Sequence, residues 1–365
     1  MSLDYAVQQY RASAKRLDPA NGYPRVTGPD GEWETLPPHS WTSGFYPGVL
    51  WYLYEYTGDP ELLALAQKWT AGLEGQSLDT RTHDVGFQIM CSFGNGYRLT
   101  SDEQYKPIIL QAARSLATRY SPKVRAIKSW DFVRPEAPWQ YPVIIDNMMN
   151  LELLLWASKN GGDEQFYDVA VQHALTTRQH HVRADGSTYH VADFDPKSGA
   201  FVRGLTWQGY ADESAWARGQ AWGLYGFTMA YRETTDERFL VTAQTLAAFF
   251  LDHLPKDHVP YWDFRAPHLP DEERDASAGA IAASGLLELS TLVPSKDGAH
   301  YRDRAVAILK ELGSDRYLTK GSSNSAVLFH SVGSRPQDSE VDVPIIYGDY
   351  YYVEALLRLR DLAQP

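Results

Sequence analysis

One carboxylic acid, Asp146, lies between two apolar segments in residues 142–156, which read PVIIDNMMNLELLLW. Burial among such neighbours removes water from a carboxylate and therefore raises its pKa. A carboxyl group that stays protonated near neutral pH is suited to general acid catalysis. The alternative is that Asp146 only caps the following helix, by accepting hydrogen bonds from its first amides. The two interpretations are compatible, because a helix start that faces a cavity can serve both purposes.

A short polar signal recurs along the chain and divides it into helical hairpins. Each copy follows an apolar run and precedes an amphipathic one, which is the pattern of a helix, a capped turn and a second helix. The copies are centred on Asp59, Asp102, Asp163, Asp236 and Asp297.

The first helix of each hairpin is apolar on nearly every side, so we expect it to be surrounded by protein. These inner helices are predicted at residues 41–56, 84–99, 146–160, 214–232, 277–292 and 347–362. The helices that follow carry charged faces and are predicted to lie outside, together with an N-terminal helix at 5–17. Six inner and six outer helices make an all-α (α/α)6 barrel, predicted as a single catalytic domain over residues 1–365. The alternative is an open stack of hairpins, which the divergence of the repeats disfavours.

The inner helices of such a barrel run in one direction, so their N-termini meet at one mouth. Their partial positive charges favour an anionic ligand there. Two carboxylates, Asp84 and Asp146, start adjacent inner helices and are expected to approach each other. The other residues at these starts are Trp41, Thr42, His83, Asn147, Trp216, Arg218, Ser277 and Asp349.

The longest return loop, residues 183–213, contains a predicted β-hairpin with strands at 189–194 and 201–203. The hairpin is expected to lie over the mouth and to bring His190 and Gln208 with it. A lone histidine in a hairpin is more often a surface residue, so this pattern alone gives His190 no role.

The composition excludes several classes of protein. A formal net charge of -12 argues against nucleic acid as a partner. Cys91 is the only cysteine, so neither an intrachain disulfide nor a cysteine-rich metal site can form. The sequence also lacks paired metal-binding histidines on a helix, glycine-rich phosphate loops and a Gly-x-Ser-x-Gly motif.

Neither a membrane span nor a signal peptide is recognisable. No apolar run is long enough to cross a bilayer, so no membrane partner is expected. The N-terminus, MSLDYAVQQY, lacks the charged and then apolar pattern of a leader. We therefore expect a cytoplasmic protein, or a periplasmic one if a leader has been removed. Oligomeric state is not indicated.

Eight motifs together resemble the unsaturated glucuronyl hydrolases, family 88 of the glycoside hydrolases. They are SWTSGF at 40–45, HDVGF at 83–87, IIDN at 144–147, YH at 189–190, QG at 208–209, WARGQAWG at 216–223, YWDF at 261–264 and YGDYY at 347–351. The likeness extends over nearly the whole chain, in the same order. The set is specific, whereas any one motif alone would be weak.

The resemblance implies an (α/α)6 barrel and the removal of a 4,5-unsaturated uronic acid from the non-reducing end of lyase-generated oligosaccharides, glycosaminoglycan-type or related. Asp146 matches the catalytic acid and base, and Asp84 the second essential carboxylate. No metal or organic cofactor is implied. The positions expected to contact sugar are His190, Gln208, Arg218 and Trp222, with Trp41 and Trp130 as stacking walls.

An unsaturated uronate offers an enol ether between C4 and C5. Protonation of C4 produces an oxocarbenium ion at C5, which water traps, and the resulting hemiketal opens to release the rest of the chain. The alternatives are an unsaturated rhamnogalacturonyl hydrolase acting on pectin fragments, an ordinary inverting glycosidase and a non-catalytic oligosaccharide-binding protein.

The sequence departs from the family pattern near residues 322–336. Some relatives have serines and a lysine there that receive a substrate sulfate. This chain has Ser331 and Ser334 at the serine spacing, with Arg335 beside them and Pro336 where a lysine would help. A preference for sulfated substrates is therefore open.

Overall fold

Helices in two concentric layers dominate the computed structural model, which describes residues 2–133 and 138–363. The inner layer contains α2 (Phe45–Thr57), α4 (Val85–Ile89), α5 (Asn95–Thr100), α7 (Leu151–Lys159), α9 (Ala217–Thr234), α11 (Ala276–Leu292) and α13 (Ile346–Leu362). The outer layer contains α1 (Ser2–Ala14), α3 (Pro60–Ala71), α6 (Tyr105–Ala117), α8 (Gln165–His180), α10 (Glu237–Asp252) and α12 (Ser295–Leu312). The predicted division into inner and outer helices is confirmed.

Two inner positions are irregular. A π-helical turn, Met90–Gly94, joins α4 to α5, so that together they form one inner helix. A 3₁₀ helix, Ile145–Asn150, leads into α7. The remaining 3₁₀ helices are Pro19–Asn21, Glu74–Leu78 and Arg335–Gln337. None of the helices in the described residues is long and apolar enough to cross a membrane.

The inner layer closes on itself, because the last helix, α13, packs against the first inner helix, α2. Each inner helix between them packs against the next one around the ring. One hydrophobic core cluster extends from Ala6 on α1 to Leu357 on α13. The closed ring confirms the (α/α)6 barrel and excludes an open stack of hairpins.

Two of the predicted turn aspartates, Asp59 and Asp236, cap the outer helices that they precede. Asp59 accepts a hydrogen bond from the amide of Glu61, and Asp236 accepts one from the amide of Arg238. Asp102 and Asp163 make the same contact to the amide two residues further on. Asp297 differs, because α12 already begins at Ser295 and Asp297 lies inside its first turn.

Three short β-sheets are present among the residues that the structure describes. They consist of β1 (Tyr23–Thr27) with β2 (Trp33–Leu36), β3 (Tyr120–Ser121) with β4 (Ala126–Ile127), and β5 (Pro142–Ile144) with β6 (Val191–Phe194) and β7 (Phe201–Leu205). The predicted hairpin is the β6–β7 pair. The sequence did not predict β5, whose Ile144 pairs with Val191 and thereby ties the hairpin to the strand that leads into Asp146.

Candidate active site

Asp146 lies at the start of the 3₁₀ helix that follows β5, in a position set by the sheet. The amide of Ile145 donates to the carbonyl of His190 at 3.0 Å. Burial raises the pKa of Asp146 to about 7, although the positive charge of Arg218 opposes this shift. The cap position of the 3₁₀ helix belongs to Ile144, and no side chain makes the capping hydrogen bond. The capping interpretation of Asp146 is therefore wrong, and its raised pKa leaves a carboxyl group able to donate a proton.

His190 faces Asp146 as a neutral ring. Its Nδ1 atom accepts hydrogen bonds from the amides of Trp207 and Gln208, each at 3.2 Å, so the ring proton belongs on Nε2. Burial lowers the pKa of His190 well below its usual value, and nearby Arg218 lowers it further. His190 Nε2 lies 3.6 Å from Asp146 Oδ2. The hairpin has thus placed the N–H of a neutral imidazole toward the buried acid.

Asp84 occupies a more open and polar position, at the start of α4. Its Oδ2 atom accepts a hydrogen bond from the hydroxyl of Thr82 at 2.9 Å, and His83 Nε2 lies 3.4 Å from its Oδ1. The negative charge of Asp84 contributes to the raised pKa of Asp146, so the two carboxyl groups lie within electrostatic reach. Two carboxyl groups in such unlike environments are suited to different roles.

Arg218 is already committed to protein partners. Its Nη1 atom lies 3.3 Å from an oxygen of Asp275 and donates to the carbonyl of Val332, and its Nη2 atom donates to the carbonyl of Gly333 at 2.7 Å. The side chain is fully buried. Arg218 therefore supplies a fixed positive charge near Asp146 and anchors the 332–333 backbone to α9.

Aromatic rings form the walls of the mouth. Trp41 stacks on Tyr347 with ring centroids 5.2 Å apart, and the guanidinium of Arg25 lies 5.1 Å from the Trp41 ring. Phe87 contacts both Trp41 and Trp222, with centroids 5.4 and 5.3 Å apart. These contacts join the wall at the start of α2 to the one inside α9.

The opposite wall comes from the loop around Trp130. Its ring meets the ring of His190 edge-on, with centroids 5.7 Å apart. Gln208 donates through Nε2 to the carbonyl of Gly333 at 3.0 Å, which joins the hairpin side to the 332–333 backbone. Contacts and charge interactions therefore link all eight site residues expected from the sequence into one cluster.

Unpaired polar atoms collect at the same place. The buried atoms of the described residues that have no hydrogen-bond partner include several of this cluster: His83 Nε2, Asp146 Oδ2, Asn147 Oδ1, His190 Nε2 and Trp222 Nε1. Buried polar atoms are normally bonded, so a group of unmatched donors and acceptors indicates a site for a polar ligand.

Asp349, at the start of α13 in the inner ring of helices, is a buried acid with a structural role. Burial raises its pKa to about 7, as it does for Asp146. Its oxygens, however, accept hydrogen bonds from the hydroxyl of Tyr10 and from the amides of Val327 and Leu328. Asp349 thus holds the 327–328 backbone to α13 and presents no free oxygen.

Three residues of the mouth were not singled out by the sequence. Arg25 reaches it from β1, paired through two hydrogen bonds with Glu340. Asp275 caps α11 and holds Arg218. Tyr347 lies in a recognised motif and Asp275 precedes a predicted helix start, so both had a local signal, whereas no local pattern marks Arg25.

Two further features bear on ligands. The side chain of Ser331 is buried and that of Ser334 is bonded to Gln337, so the serine pair does not present two free hydroxyls. Among the described residues, no group of three or more His, Cys, Asp or Glu is placed to hold a metal ion.

A cavity of about 540 Å³ lies at the other end of the barrel. Charged pairs line it, including Arg98 with Glu55 and Arg358 with Glu354. In both pairs the arginine lies toward the C-terminal end of an inner helix, where a positive side chain complements the helix dipole. They account for the lining structurally, so the mouth is the candidate active site.

Comparison with known proteins gives a consistent picture. A sequence model described as Glycosyl Hydrolase Family 88 matches residues 11–288. An unsaturated glucuronyl hydrolase of Formosa agariphila is 47% identical over 348 residues, covering 94% of this chain and 86% of the relative. An unsaturated chondroitin disaccharide hydrolase of Streptococcus pyogenes serotype M1 is 35% identical over 363 residues, covering 98% and 90%. A crystal structure of an unsaturated glucuronyl hydrolase specific for heparin matches with a TM-score of 0.95 at 46% identity, covering 99% of this chain and 96% of that chain.

Proposed function

The chain belongs to glycosyl hydrolase family 88, and on that premise we propose that Asp146 and Asp84 are the two groups that carry out its reaction. The protein is a glycoside hydrolase that releases a 4,5-unsaturated uronic acid from the non-reducing end of lyase-generated oligosaccharides. The observation that supports the residue assignment is the unpaired Oδ2 of Asp146, on a carboxyl group whose pKa burial raises to about 7.

Asp146 begins the reaction as the proton donor. It transfers its proton to C4 of the enol ether, and C5 becomes an oxocarbenium ion that shares its charge with the ring oxygen. The ionised Asp146 then accepts a proton from the water that adds to C5. The bond between C5 and the ring oxygen breaks to leave a ketone at C5, and the hemiacetal at C1 releases the next sugar as an alcohol.

Asp84 stabilises the positive charge at C5. Its more exposed position, hydrogen-bonded to Thr82 and close to His83, suits a charge-stabilising role distinct from that of the proton donor. Neutral His190 adds no positive charge next to the carboxyl group, so the proton is retained until substrate arrives. The two carboxyl groups therefore keep separate roles throughout the cycle.

The remaining residues bind and orient the sugar. We assign the stacking walls to Trp41 and Trp130, because their rings frame the mouth. His190 and Trp222 offer N–H donors to the sugar. Gln208 fixes the backbone beside the site by donating to the carbonyl of Gly333. Arg218 attracts the substrate carboxylate as a fixed charge, since both of its η nitrogens already donate to protein atoms.

The substrates we propose are unsaturated disaccharides of the glycosaminoglycan type, and the chain acts as one catalytic domain. The relatives named for heparin and chondroitin support this class. The test is a panel of lyase-generated disaccharides from heparin, chondroitin and pectin, followed through the loss of ultraviolet absorbance of the double bond. Turnover of a glycosaminoglycan disaccharide supports the proposal, and turnover of the pectin compound alone would contradict it.

A further inference from the structure

A second groove begins directly beside His190. The amides of Trp207 and Gln208 donate to the His190 ring, and Trp207 and the residues around it line a separate cavity. They line a cavity of about 510 Å³, which we call the Tyr210 groove. Its lining residues are Thr206, Trp207, Gly209, Tyr210, Ala211, Asp212, Pro336 and Gln337.

The groove continues past a ridge made by Tyr210 and Pro336. These two residues also line an adjoining cavity of about 300 Å³. Its other lining residues are Trp262, Pro267, His268, Asp271, Glu272, Glu273 and Arg335. The two cavities adjoin at these residues and together give one path.

The walls of the groove are held in place by the protein itself. The amide of Tyr210 donates to Asp263 at 3.0 Å, and the amide of Thr206 donates to Asp212 at 2.8 Å. Gln337 donates through Nε2 to the carbonyl of Trp207 at 3.1 Å and so joins the two sides. A groove fixed in this way costs little ordering when a ligand binds.

Tyr210 is the exposed aromatic surface of this path. Its side chain is 49% exposed although its backbone is fixed. An aromatic ring that is rigid and open on one face suits the apolar face of a sugar ring. The groove is therefore shaped for sugar units that follow the pair bound at the mouth.

The charge of the path restricts which sugars it suits. Four acidic residues line it, Asp212, Asp271, Glu272 and Glu273, against the single arginine, Arg335. Arg335 lies 3.4 Å from Glu273, one of these four acidic residues. Carboxylates accept hydrogen bonds from sugar hydroxyls but repel the carboxylate or sulfate of an anionic unit.

We propose that the Tyr210 groove is a sugar-binding site for the third and fourth units of longer substrates, and that it accepts neutral units and disfavours uronic acids and sulfated units. This inference rests on the proposed function, because it requires the unsaturated unit at Asp146. The enzyme should therefore cleave longer oligosaccharides well when the units after the second are neutral. Among anionic oligosaccharides it should prefer disaccharides.

The test compares kcat/KM for each Δ-tetrasaccharide with that of its own Δ-disaccharide, in a series with neutral units and in a glycosaminoglycan series. We expect the neutral tetrasaccharide to exceed its disaccharide by about 3- to 10-fold, the worth of one stacking contact. At low salt the anionic tetrasaccharide should fall below its disaccharide, and added salt should narrow that difference. Equal ratios in the two series at low salt would overturn the proposal.

Two matched pairs of variants test whether residues of the Tyr210 groove cause these differences in kcat/KM. Tyr210→Ala should bring the ratio of kcat/KM for the neutral tetrasaccharide to that for its disaccharide to about one. Tyr167→Ala, which changes another exposed tyrosine, on α8, should leave this ratio unchanged. Asp212→Asn combined with Glu272→Gln should raise the ratio of kcat/KM for the anionic tetrasaccharide to that for its disaccharide. Asp303→Asn, on the exposed face of α12, should leave that ratio unchanged. Unchanged ratios in both groove variants would also overturn the proposal.

Disaccharide turnover separates this inference from the function on which it rests. Loss of all disaccharide cleavage in the unmodified enzyme would refute the proposed function itself. Normal disaccharide cleavage with no dependence on chain length would refute only the groove.

Discussion

His190 Nε2 lies 3.6 Å from Asp146 Oδ2, and neither atom has a hydrogen-bond partner among the described residues. This separation is longer than a hydrogen bond, so the two atoms face a common space without satisfying each other. The histidine is neutral, because two backbone amides occupy its Nδ1 and burial lowers its pKa. Asp146 therefore keeps its raised pKa and its proton, which is the property that the mechanism requires.

Replacing Asp146 with Asn should leave a folded protein that binds substrate but turns it over about 10²–10⁴-fold more slowly, the usual worth of a positioned acid. The amide has nearly the same shape but no transferable proton. The measurement is kcat from the loss of double-bond absorbance, with binding checked by calorimetry. Near-normal turnover would remove Asp146 from the mechanism.

Asp84→Asn should cost a comparable factor in kcat, because a neutral amide cannot stabilise positive charge at C5. The variant should be compared with Thr82→Val, which removes only the hydroxyl that donates to Asp84. We expect a smaller loss for Thr82→Val. If Asp84→Asn changed KM alone, Asp84 would be a binding residue and not part of the chemical step.

The pH dependence follows from the raised pKa of Asp146. The carboxyl group is active when protonated, so kcat should decrease as pH rises through about 7. Asp349→Asn is the control, because the pKa of Asp349 is also raised to about 7 but its oxygens serve the 327–328 backbone. The decrease should persist in that variant. A rate that climbs steadily into alkaline pH is incompatible with a general acid.

The raised pKa of Asp146 also makes the free energy of unfolding depend on pH. The folded pKa of Asp146 lies above the unfolded value of 3.8, so the folded state favours the protonated acid. This contribution is fully present below pH 3.8, declines as pH rises and is lost above about pH 7. Asp146→Asn cannot ionise and escapes the loss. Relative to the unmodified protein, its free energy of unfolding should rise between pH 4 and pH 8 by about 2–4 kcal/mol.

Urea unfolding at the two pH values measures this difference. Asp84→Asn serves as the comparison, because Asp84 is partly exposed and hydrogen-bonded by a side-chain hydroxyl. A pH-independent difference between Asp146→Asn and the unmodified protein would show that Asp146 ionises normally in the folded state.

The sequence predicted the barrel because its signals are local. Aspartates such as Asp59 and Asp236 mark helix starts through their own hydrogen bonds, and the apolar periodicity of inner helices lies within single segments. The apolar neighbours of Asp146 likewise adjoin it in the chain. Each of these features can be recognised without knowing which segments meet in space.

The contacts that complete the site are long-range and have no such signal. The strand pairing of Ile144 with Val191, which sets His190 beside Asp146, involves a strand of three residues, too short for a period-two pattern. The ion pair of Arg218 with Asp275 joins the starts of two helices that are neighbours only in the ring. For the same reason the sequence left the partners of Arg218 open.

The central claim is that the enzyme hydrates the C4–C5 double bond with a proton from Asp146 and does not attack the anomeric carbon. The most direct test is to run the reaction in deuterated water and to examine the first product formed by NMR. Unlabelled product kept in the same solvent corrects for exchange next to the new ketone. Hydration should place deuterium at C4 of the released uronate. A product with no deuterium at C4, and with solvent oxygen only at C1, would contradict it.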